Sequence, residues 1–285
     1  MDWVPLFFID DVCHQMKLDA FKQVSQLSSC WSEFGAEHRE KRRELNFSCR
    51  VNGKESSYSL EYWKNRTELV VADLNSEFDR IKMVRCNSMD QWTNRVSLEE
   101  LKRDVLPTVA SLVANCYWTP SISYISAQNR LIFKSFKNCP GFNDITVDEQ
   151  GEESLDFIAS QVELGNVQRL YFFAGESGER SQPEQLVKTF KTFINSARFH
   201  ELIYPQPLRK RLELFELFLE RALANKLRPG ANISFQKIHL DRKIKTLRPE
   251  CREKSAKIAW LIPNSIYRVT LEECDREYRI VVQWA

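Results

Sequence analysis

The residue types that most often carry catalysis are sparse and scattered in this chain. Its four histidines, at positions 14, 38, 200 and 239, form no His-Glu-x-x-His pattern and no histidine/cysteine spacing typical of a metal site. There is no Gly-x-Ser-x-Gly nucleophile motif. Adjacent acids such as Glu99-Glu100 point apart on a helix or turn, which favours a role at the surface over general acid-base work. The sequence therefore predicts no catalytic residue, no metal ligand and no cofactor.

A possible phosphate loop is Gly175-Glu176-Ser177-Gly178, between a predicted strand and a predicted helix, where backbone amides can hold an anion. The segment lacks the lysine of a P-loop, and Glu176 and Glu179 repel a phosphate. We interpret it as an ordinary loop. An enzyme that binds a small molecule at the carboxyl ends of its parallel strands is a further hypothesis, and a pocket with convergent polar groups there would support it.

The most informative pattern is an apolar stripe in residues 4–31. An X-Pro pair fixes an extended entry, after which a helix can begin. Apolar residues then follow at i, i+1, i+4, i+5 and i+8, a second run has three-residue steps, and a tryptophan follows it. This spacing predicts two short amphipathic helices and an aromatic anchor, formed by Val4, Pro5, Phe8, Ile9, Val12, Cys13, Met16, Phe21, Val24, Leu27 and Trp31.

The same residues resemble an F-box. Val4-Pro5 stands where Leu-Pro usually stands, and Leu27-Ser28 with Trp31 matches the closing element without a gap. The resemblance implies that residues 1–43 are a three-helix module that binds a Skp-family adaptor and, through it, a cullin. The eleven residues of the stripe would contact the adaptor. The chain, which resembles nematode-type F-box proteins, would then be a non-catalytic subunit of a Skp–cullin–F-box ubiquitin ligase.

The alternative is a stand-alone α/β interaction protein whose N-terminal helical hairpin packs on the rest of the chain. Thirty residues are too few to bury a core of their own, so the apolar faces must dock on something. Exposure of Pro5, Phe8 and Val12 in the free protein discriminates the two hypotheses.

Composition limits the environment and the partners. The 285 residues are 43% hydrophobic and 28% charged, and no stretch approaches the roughly 20 apolar residues that cross a bilayer. The start lacks the basic, then apolar, pattern of an export signal, and eight cysteines without a Cys-x-x-Cys pair are interpreted as reduced thiols. We therefore expect a cytoplasmic or nuclear protein. A net charge of +2 gives little attraction to nucleic acid, and no membrane partner is expected.

Residues 44–285 are predicted to form an α/β recognition domain. Strand centres near 145, 170, 202 and 235 are separated by helical stripes, which is the pattern of consecutive βα units with parallel strands. Alternating patterns predict antiparallel strands at both ends, including a hairpin at Asn52-Gly53. The expected fold is a mixed α+β or α/β chain: an N-terminal three-helix module followed by a βα-repeat-like domain with a mixed sheet. Residues 100–285 also resemble the C-terminal recognition domains of nematode-type F-box proteins.

Target capture is predicted at the loops that follow the parallel strands, because one edge of a βα array gathers several loops into one surface. These loops are 148–152, 174–181 and 204–207. Their acids and flanking aromatic residues suit a protein target that the sequence does not identify. The predicted target-binding residues are Tyr171, Phe173, Glu176, Glu179 and Tyr204.

Overall fold

A computed structural model describes residues 4–16, 20–27, 30–52, 55–62, 64–86, 94–114, 121–125, 130–148, 152–173, 184–204, 211–236, 252–254, 257–261, 267–274 and 277–284. The chain divides into two compact units, Met1–Asp144 (unit 1) and Ile145–Ala285 (unit 2). The boundary predicted after residue 43 lies inside unit 1, and a domain boundary at that position stays a prediction.

Unit 1 begins with helices and continues into strands. Three helices come first: α1 (Leu6–Gln15), α2 (Phe21–Val24) and α3 (Cys30–Lys41). The strands that follow are β1 (Arg43–Asn52), β2 (Glu55–Tyr62), β3 (Glu68–Leu69), β4 (Asp79–Cys86) and β5 (Asn94–Ser97). The remaining elements are α4 (Leu98–Glu100), a π-helical turn at Leu101–Val105, α5 (Leu106–Ala114), β6 (Ser121–Ile125) and α6 (Arg130–Phe136).

The strands of unit 1 lie in the order β6-β4-β1-β2-β3, and β5 also pairs with β2. Strands β1 and β2 are antiparallel and remain paired to Asn52 opposite Glu55, which confirms the predicted hairpin. Strand β1 is parallel to β4. Leu45, Phe47 and Cys49 of β1 are fully buried, because alternate side chains of a strand point to the same face of the sheet.

Pro107 is accommodated by a wider helical turn. Ser97 caps α4, since its Oγ accepts a hydrogen bond from the Glu100 amide at 3.1 Å. The Leu106 amide then donates to the Leu101 carbonyl, five residues earlier, before α5 continues. A π turn of this kind lets the helix pass the position where proline has no N–H to donate.

Unit 2 begins within β7 and alternates strands with helices. The repeat consists of β7 (Asp144–Asp148), α7 (Glu152–Glu163), β8 (Arg169–Phe173), α8 (Glu184–Asn195), β9 (Glu201–Tyr204), α9 (Arg211–Leu223) and β10 (Asn232–Gln236). Four strands follow: β11 (Arg252–Lys254), β12 (Lys257–Leu261), β13 (Tyr267–Cys274) and β14 (Glu277–Trp284). Within unit 2 the strand order is β7-β8-β9-β10-β14-β13-β12-β11.

The strand directions in unit 2 follow from its connections. Strand β9 is parallel to β8 and to β10, and each is reached through a helix. From β10 onward the pairs β10–β14, β14–β13, β13–β12 and β12–β11 are antiparallel. The predicted class is confirmed: a mixed α+β chain with N-terminal helices, βα repeats and antiparallel strands at its ends.

The core of unit 2 is rich in aromatic side chains. Phe190 of α8 contacts the rings of Phe172 and Tyr204 in edge-on geometry, with centroids 6.1 and 5.5 Å away. Phe193 and Phe218 both contact Phe199, at 4.9 and 5.9 Å. These rings are fully buried, which is why α8 stays in place against the strands.

Some elements differ from the sequence expectation. The predicted loop 174–181 and most of the predicted loop 204–207 lie outside the described residues, and α9 begins at Arg211. Strands β3, β5 and β6 and helix α6 were not predicted, because they are only two to seven residues long and carry weak periodicity. Among the described helices, none is long and apolar enough to cross a lipid bilayer.

Candidate functional site

The N-terminal helix is set by Pro5. Its carbonyl accepts hydrogen bonds from the amides of Phe8 and Ile9, at 3.0 and 3.2 Å, so the first turn of α1 begins directly after it. Pro5 itself is in an extended conformation, with φ −57° and ψ 140°. The predicted extended entry into a helix is therefore confirmed.

Helices α1, α2 and α3 share a small core of their own. Ile9, Cys13 and Phe21 are buried, with at most 2% of each residue exposed. The partly buried residues that pack on these three are Val4, Met16, Cys30, Trp31 and Phe34. We call this set the helical core. Helices α1 to α3 supply all of it except Val4 and Met16, which lie just before and just after α1. The stripe predicted from the sequence is therefore partly used inside the module.

A polar network fixes α1 on α3. Arg42, only 4% exposed, donates to the carbonyls of Met16 and Cys13 at 2.6 and 2.8 Å, which satisfies the C-terminal end of α1. The guanidinium carbon also lies 4.7 Å from the centre of the Phe21 ring. A cation here is favoured by the negative end of the helix dipole and by the aromatic face.

His38 completes the network from the last turn of α3. Its Nε2 lies 3.0 Å from Asp10 Oδ1, and Arg42 Nη2 lies 3.3 Å from its Nδ1. The neutral tautomer with the proton on Nε2 satisfies both contacts, because it donates to the carboxylate and accepts from the guanidinium. The ring is stacked on Phe21 with centroids 5.5 Å apart. His38 is thus a structural residue, buried at 1% exposure.

Helices α2 and α3 approach each other closely at Gly35. A Cβ added there would lie 2.7 Å from Val24 Cγ1 and 3.2 Å from the Ser25 amide nitrogen. Val24 is buried at 6% exposure. A side chain larger than that of glycine would therefore force neighbouring atoms to shift at this helix crossing.

Burial also controls the chemistry of Cys13. Burial raises the pKa of the Cys13 thiol to about 11, although Arg42 opposes the shift and Asp10 adds to it. The thiol is protonated at neutral pH, and a protonated thiol is a poor nucleophile. Cys13 is a packing residue in this module.

One edge of the module is left uncovered by the described residues. Leu6, Phe7 and Phe8, in the first turn of α1, are 55%, 72% and 49% exposed, and Leu27 after α2 is 52% exposed. We call Leu6, Phe7 and Phe8 the α1 apolar edge. Pro5 is also exposed, and Val12 and Met16 are half-buried. The structure therefore divides the eleven predicted adaptor-binding residues into exposed, half-buried and internal groups.

The most exposed members of this edge, Leu6 and Phe7, do not belong to the helical spacing that predicts the stripe. They are nevertheless part of Leu6-Phe7-Phe8-Ile9, a run of four apolar residues. A helix can turn only about one side of such a run into a small core. The length of the run is the signal that could have identified them.

The predicted target-binding residues do not form one surface. Tyr171 and Phe173 alternate with buried Phe172 on β8, whereas Tyr204 is fully buried and stacks on Phe172 at 5.8 Å. Since neighbouring residues of a strand point to opposite faces, Tyr204 lies on the other face from Tyr171 and belongs to the core. The expectation that Tyr204 lines a binding edge is corrected accordingly.

Of the four other predicted target-binding residues, the structure describes two. The Tyr171 hydroxyl donates to Glu201 Oε2, and Arg169 Nε lies 3.8 Å from the same oxygen. Phe173 is half-buried at the end of β8. Glu176 and Glu179 lie outside the described residues. Target binding by Tyr171, Phe173, Glu176 and Glu179 stays a prediction.

Comparison with known proteins adds no relative. No protein-family model matches the chain. No curated protein matches it either. Within the part of the chain that the structure describes, no group of three or more histidine, cysteine or acidic side chains is arranged to hold a metal ion.

Proposed function

We propose that this chain is a substrate-recognition adaptor of a Skp–cullin–F-box ubiquitin ligase. The observation that carries the proposal is the α1 apolar edge, which is exposed on a module that already has its own closed core. Aromatic residues exposed in one helical turn are the side chains that dominate binding energy when a partner buries them. The partner proposed for this edge is a Skp-family adaptor, and through it a cullin.

The predicted contact residues take different parts in this proposal. Pro5, Phe8 and Leu27 are exposed and would touch the adaptor directly, while Val4, Val12, Met16 and Trp31 would border them. Ile9, Cys13, Phe21 and Val24 are buried and would hold the helices in the geometry that presents the edge. Leu6 and Phe7 join the contact set because of their exposure.

The rest of the chain would capture the target protein. Loops after the parallel strands of unit 2 are the proposed capture surface, with Tyr171 and Phe173 beside them. The chain would supply position for ubiquitin transfer and no catalytic group. Such a role belongs in the cytoplasm or the nucleus, without nucleic acid or membrane as a partner.

A specific observation also favours the alternative. Ile9, Cys13 and Phe21 are buried within the module, as expected for a helical hairpin that packs internally in a stand-alone α/β interaction protein. The two functions differ in one property. The adaptor function requires the α1 apolar edge to bind a Skp-family protein, and the alternative does not.

The test is binding of the purified full chain to a purified Skp-family adaptor by isothermal titration calorimetry. Phe8→Asp should weaken binding by about 100-fold or more, because a charge placed in a buried anchor position costs several kcal/mol. Val70→Asp is the matched control, since Val70 is 41% exposed in the same unit and lies away from α1. No binding by the unmodified chain at about 50 μM would favour the alternative function.

A further inference from the structure

One face of the sheet in unit 1 is polar and carries three arginines close together. On β1 the buried residues alternate with Asn46, Ser48 and Arg50, which therefore lie on the opposite face. Ser48 is opposite Ser59 on β2 and opposite Arg85 on β4. The register thus places an arginine beside a pair of serines in the middle of the sheet.

The next row of the same face contains two more arginines. Ser57 of β2 is opposite Arg50 of β1 on one side and opposite Arg95 of β5 on the other. Residues paired across strands point to the same face, and adjacent strands lie about 4.8 Å apart, so the two arginine Cα atoms are about 10 Å apart. Arg50 and Arg95 are both exposed, and Ser57 between them is half-buried.

These arginines are not neutralised by the described side chains. None of the described carboxylates pairs with Arg50, Arg85 or Arg95, and Arg85 Nε donates to the Met83 sulfur at 2.7 Å, a weak acceptor. Nearby Lys82, by contrast, pairs with Glu44 at 3.0 Å. The same face also has Glu61, opposite Asn46, and Glu68, opposite Glu61, so the positive charge is concentrated at the end of the face that holds Arg50 and Arg95.

Two buried polar atoms on the face also lack partners among the described residues. Ser59 is 5% exposed and Asn46 is 9% exposed, yet Ser59 Oγ and Asn46 Oδ1 make no hydrogen bond to any described group. Buried polar atoms are nearly always hydrogen-bonded, and exceptions call for a partner. Both atoms have almost no accessible surface, so the chain covers this part of the face, and a ligand would meet the exposed row of Arg50, Ser57 and Arg95 instead.

From this juxtaposition we propose that the face formed by Arg50, Ser57 and Arg95, with Arg85 beside them, binds a phosphate monoester on a protein segment. Two guanidinium groups that flank one hydroxyl suit a single dianionic phosphoryl group, because each guanidinium presents a planar fork of donors. A nucleic-acid backbone would need a track of cations for successive phosphates, whereas these arginines form one compact group. The inference does not depend on the proposed adaptor function.

The test titrates the full chain, at low ionic strength and pH 7.5, with a ten-residue phosphoserine peptide, its unphosphorylated form and inorganic phosphate. The phosphopeptide should bind, and the unphosphorylated peptide should bind at least about tenfold more weakly, since charge-assisted hydrogen bonds to the phosphoryl group carry the affinity. Equal affinity for inorganic phosphate and phosphopeptide would show a small-molecule phosphate site and support the phosphate chemistry without the protein source.

Variants locate the site. Arg50→Gln/Arg95→Gln should weaken phosphopeptide binding by about tenfold or more, and Arg50→Lys/Arg95→Lys by less, because lysine keeps the charge but loses the fork. Arg39→Gln/Lys64→Gln is the matched control, with the same change of charge at two exposed positions of unit 1.

Three outcomes would overturn the proposal. Absence of phosphopeptide binding by the unmodified chain at about 1 mM overturns it, as does equal weakening in the Arg39/Lys64 control. Tighter binding of a ten-nucleotide single-stranded RNA than of the phosphopeptide also overturns it. Far-ultraviolet circular dichroism of each variant shows that the fold is retained, as expected for exposed arginines.

Discussion

Helices α1 and α8 both have an apolar stripe, but α8 buries its stripe whereas α1 leaves part of its stripe exposed. All of the apolar stripe of α8, from Leu186 to Ile194, is buried in the core of unit 2. Among the described side chains of α1, Ile9 and Cys13 are buried, and three large apolar residues at its start are exposed. A single soluble domain rarely keeps a contiguous apolar patch without a use for it. This difference is the observation that supports the proposal of a partner bound at α1.

The largest effect is expected in unit 2. Phe190→Ala removes a ring that contacts Phe172 and Tyr204 in a filled core, and such a change should lower the free energy of unfolding of that unit by about 3–5 kcal/mol. Hydrogen-exchange mass spectrometry of the α8 peptides measures it. Leu164→Ala, at a position 42% exposed, is the control and should change stability by less than about 0.5 kcal/mol. Similar losses for both variants would contradict the packing described for α8.

A smaller loss is expected when the polar network of the helical module is cut. Arg42→Met removes two charge-assisted hydrogen bonds to the carbonyls of Cys13 and Met16, so the module should lose about 2–3 kcal/mol. Alkylation by iodoacetamide at pH 8, followed by mass spectrometry, reports the opening of the module at Cys13.

This measurement has an internal reference in the same unit. Burial raises the pKa of Cys139, like that of Cys13, to about 11, so both thiols react slowly while they are buried. Arg42→Met should speed alkylation of Cys13 by about tenfold or more and leave Cys139 unchanged. Arg39→Met, at an exposed position of α3, is the control variant. Equal acceleration at both cysteines would mean that unit 1 unfolds as a whole.

The sequence predicts the βα repeats of unit 2 better than it predicts the packing of helices α1 to α3. The βα repeats of unit 2 were predicted because helical stripes and short apolar strands alternate in the sequence. The division of the α1 stripe into core and surface was not predictable. It depends on Arg42 and His38, which reach α1 from 26 to 29 residues away and carry no sequence signal for that role. The arginines of the polar sheet face likewise come together only through strand register.

A modest effect is expected at the crossing of α2 and α3. Gly35→Ala would place a Cβ 2.7 Å from Val24 Cγ1, and the forced shift should cost about 1–2 kcal/mol after the gain in helix propensity. Adding Val24→Ala to Gly35→Ala removes that contact. If the close approach is the cause, the double variant should be less destabilised than the sum of the two single variants, as judged by urea unfolding.

The smallest change in stability is expected at the α1 apolar edge itself, where Phe7 is 72% exposed. Phe7→Asp should leave the free energy of unfolding within about 0.5 kcal/mol, because the ring contributes little to the helical core. Within that range the variant should be slightly more stable than the unmodified chain. Helix α1 has no acidic residue in its first turn, and a carboxylate there is stabilised by the helix dipole. Ile9→Ala, two positions along and 2% exposed, should instead cost about 2 kcal/mol or more. A loss above about 1 kcal/mol for Phe7→Asp would mean that another part of this chain covers the edge, and the surface proposed for a Skp-family adaptor would then already be occupied.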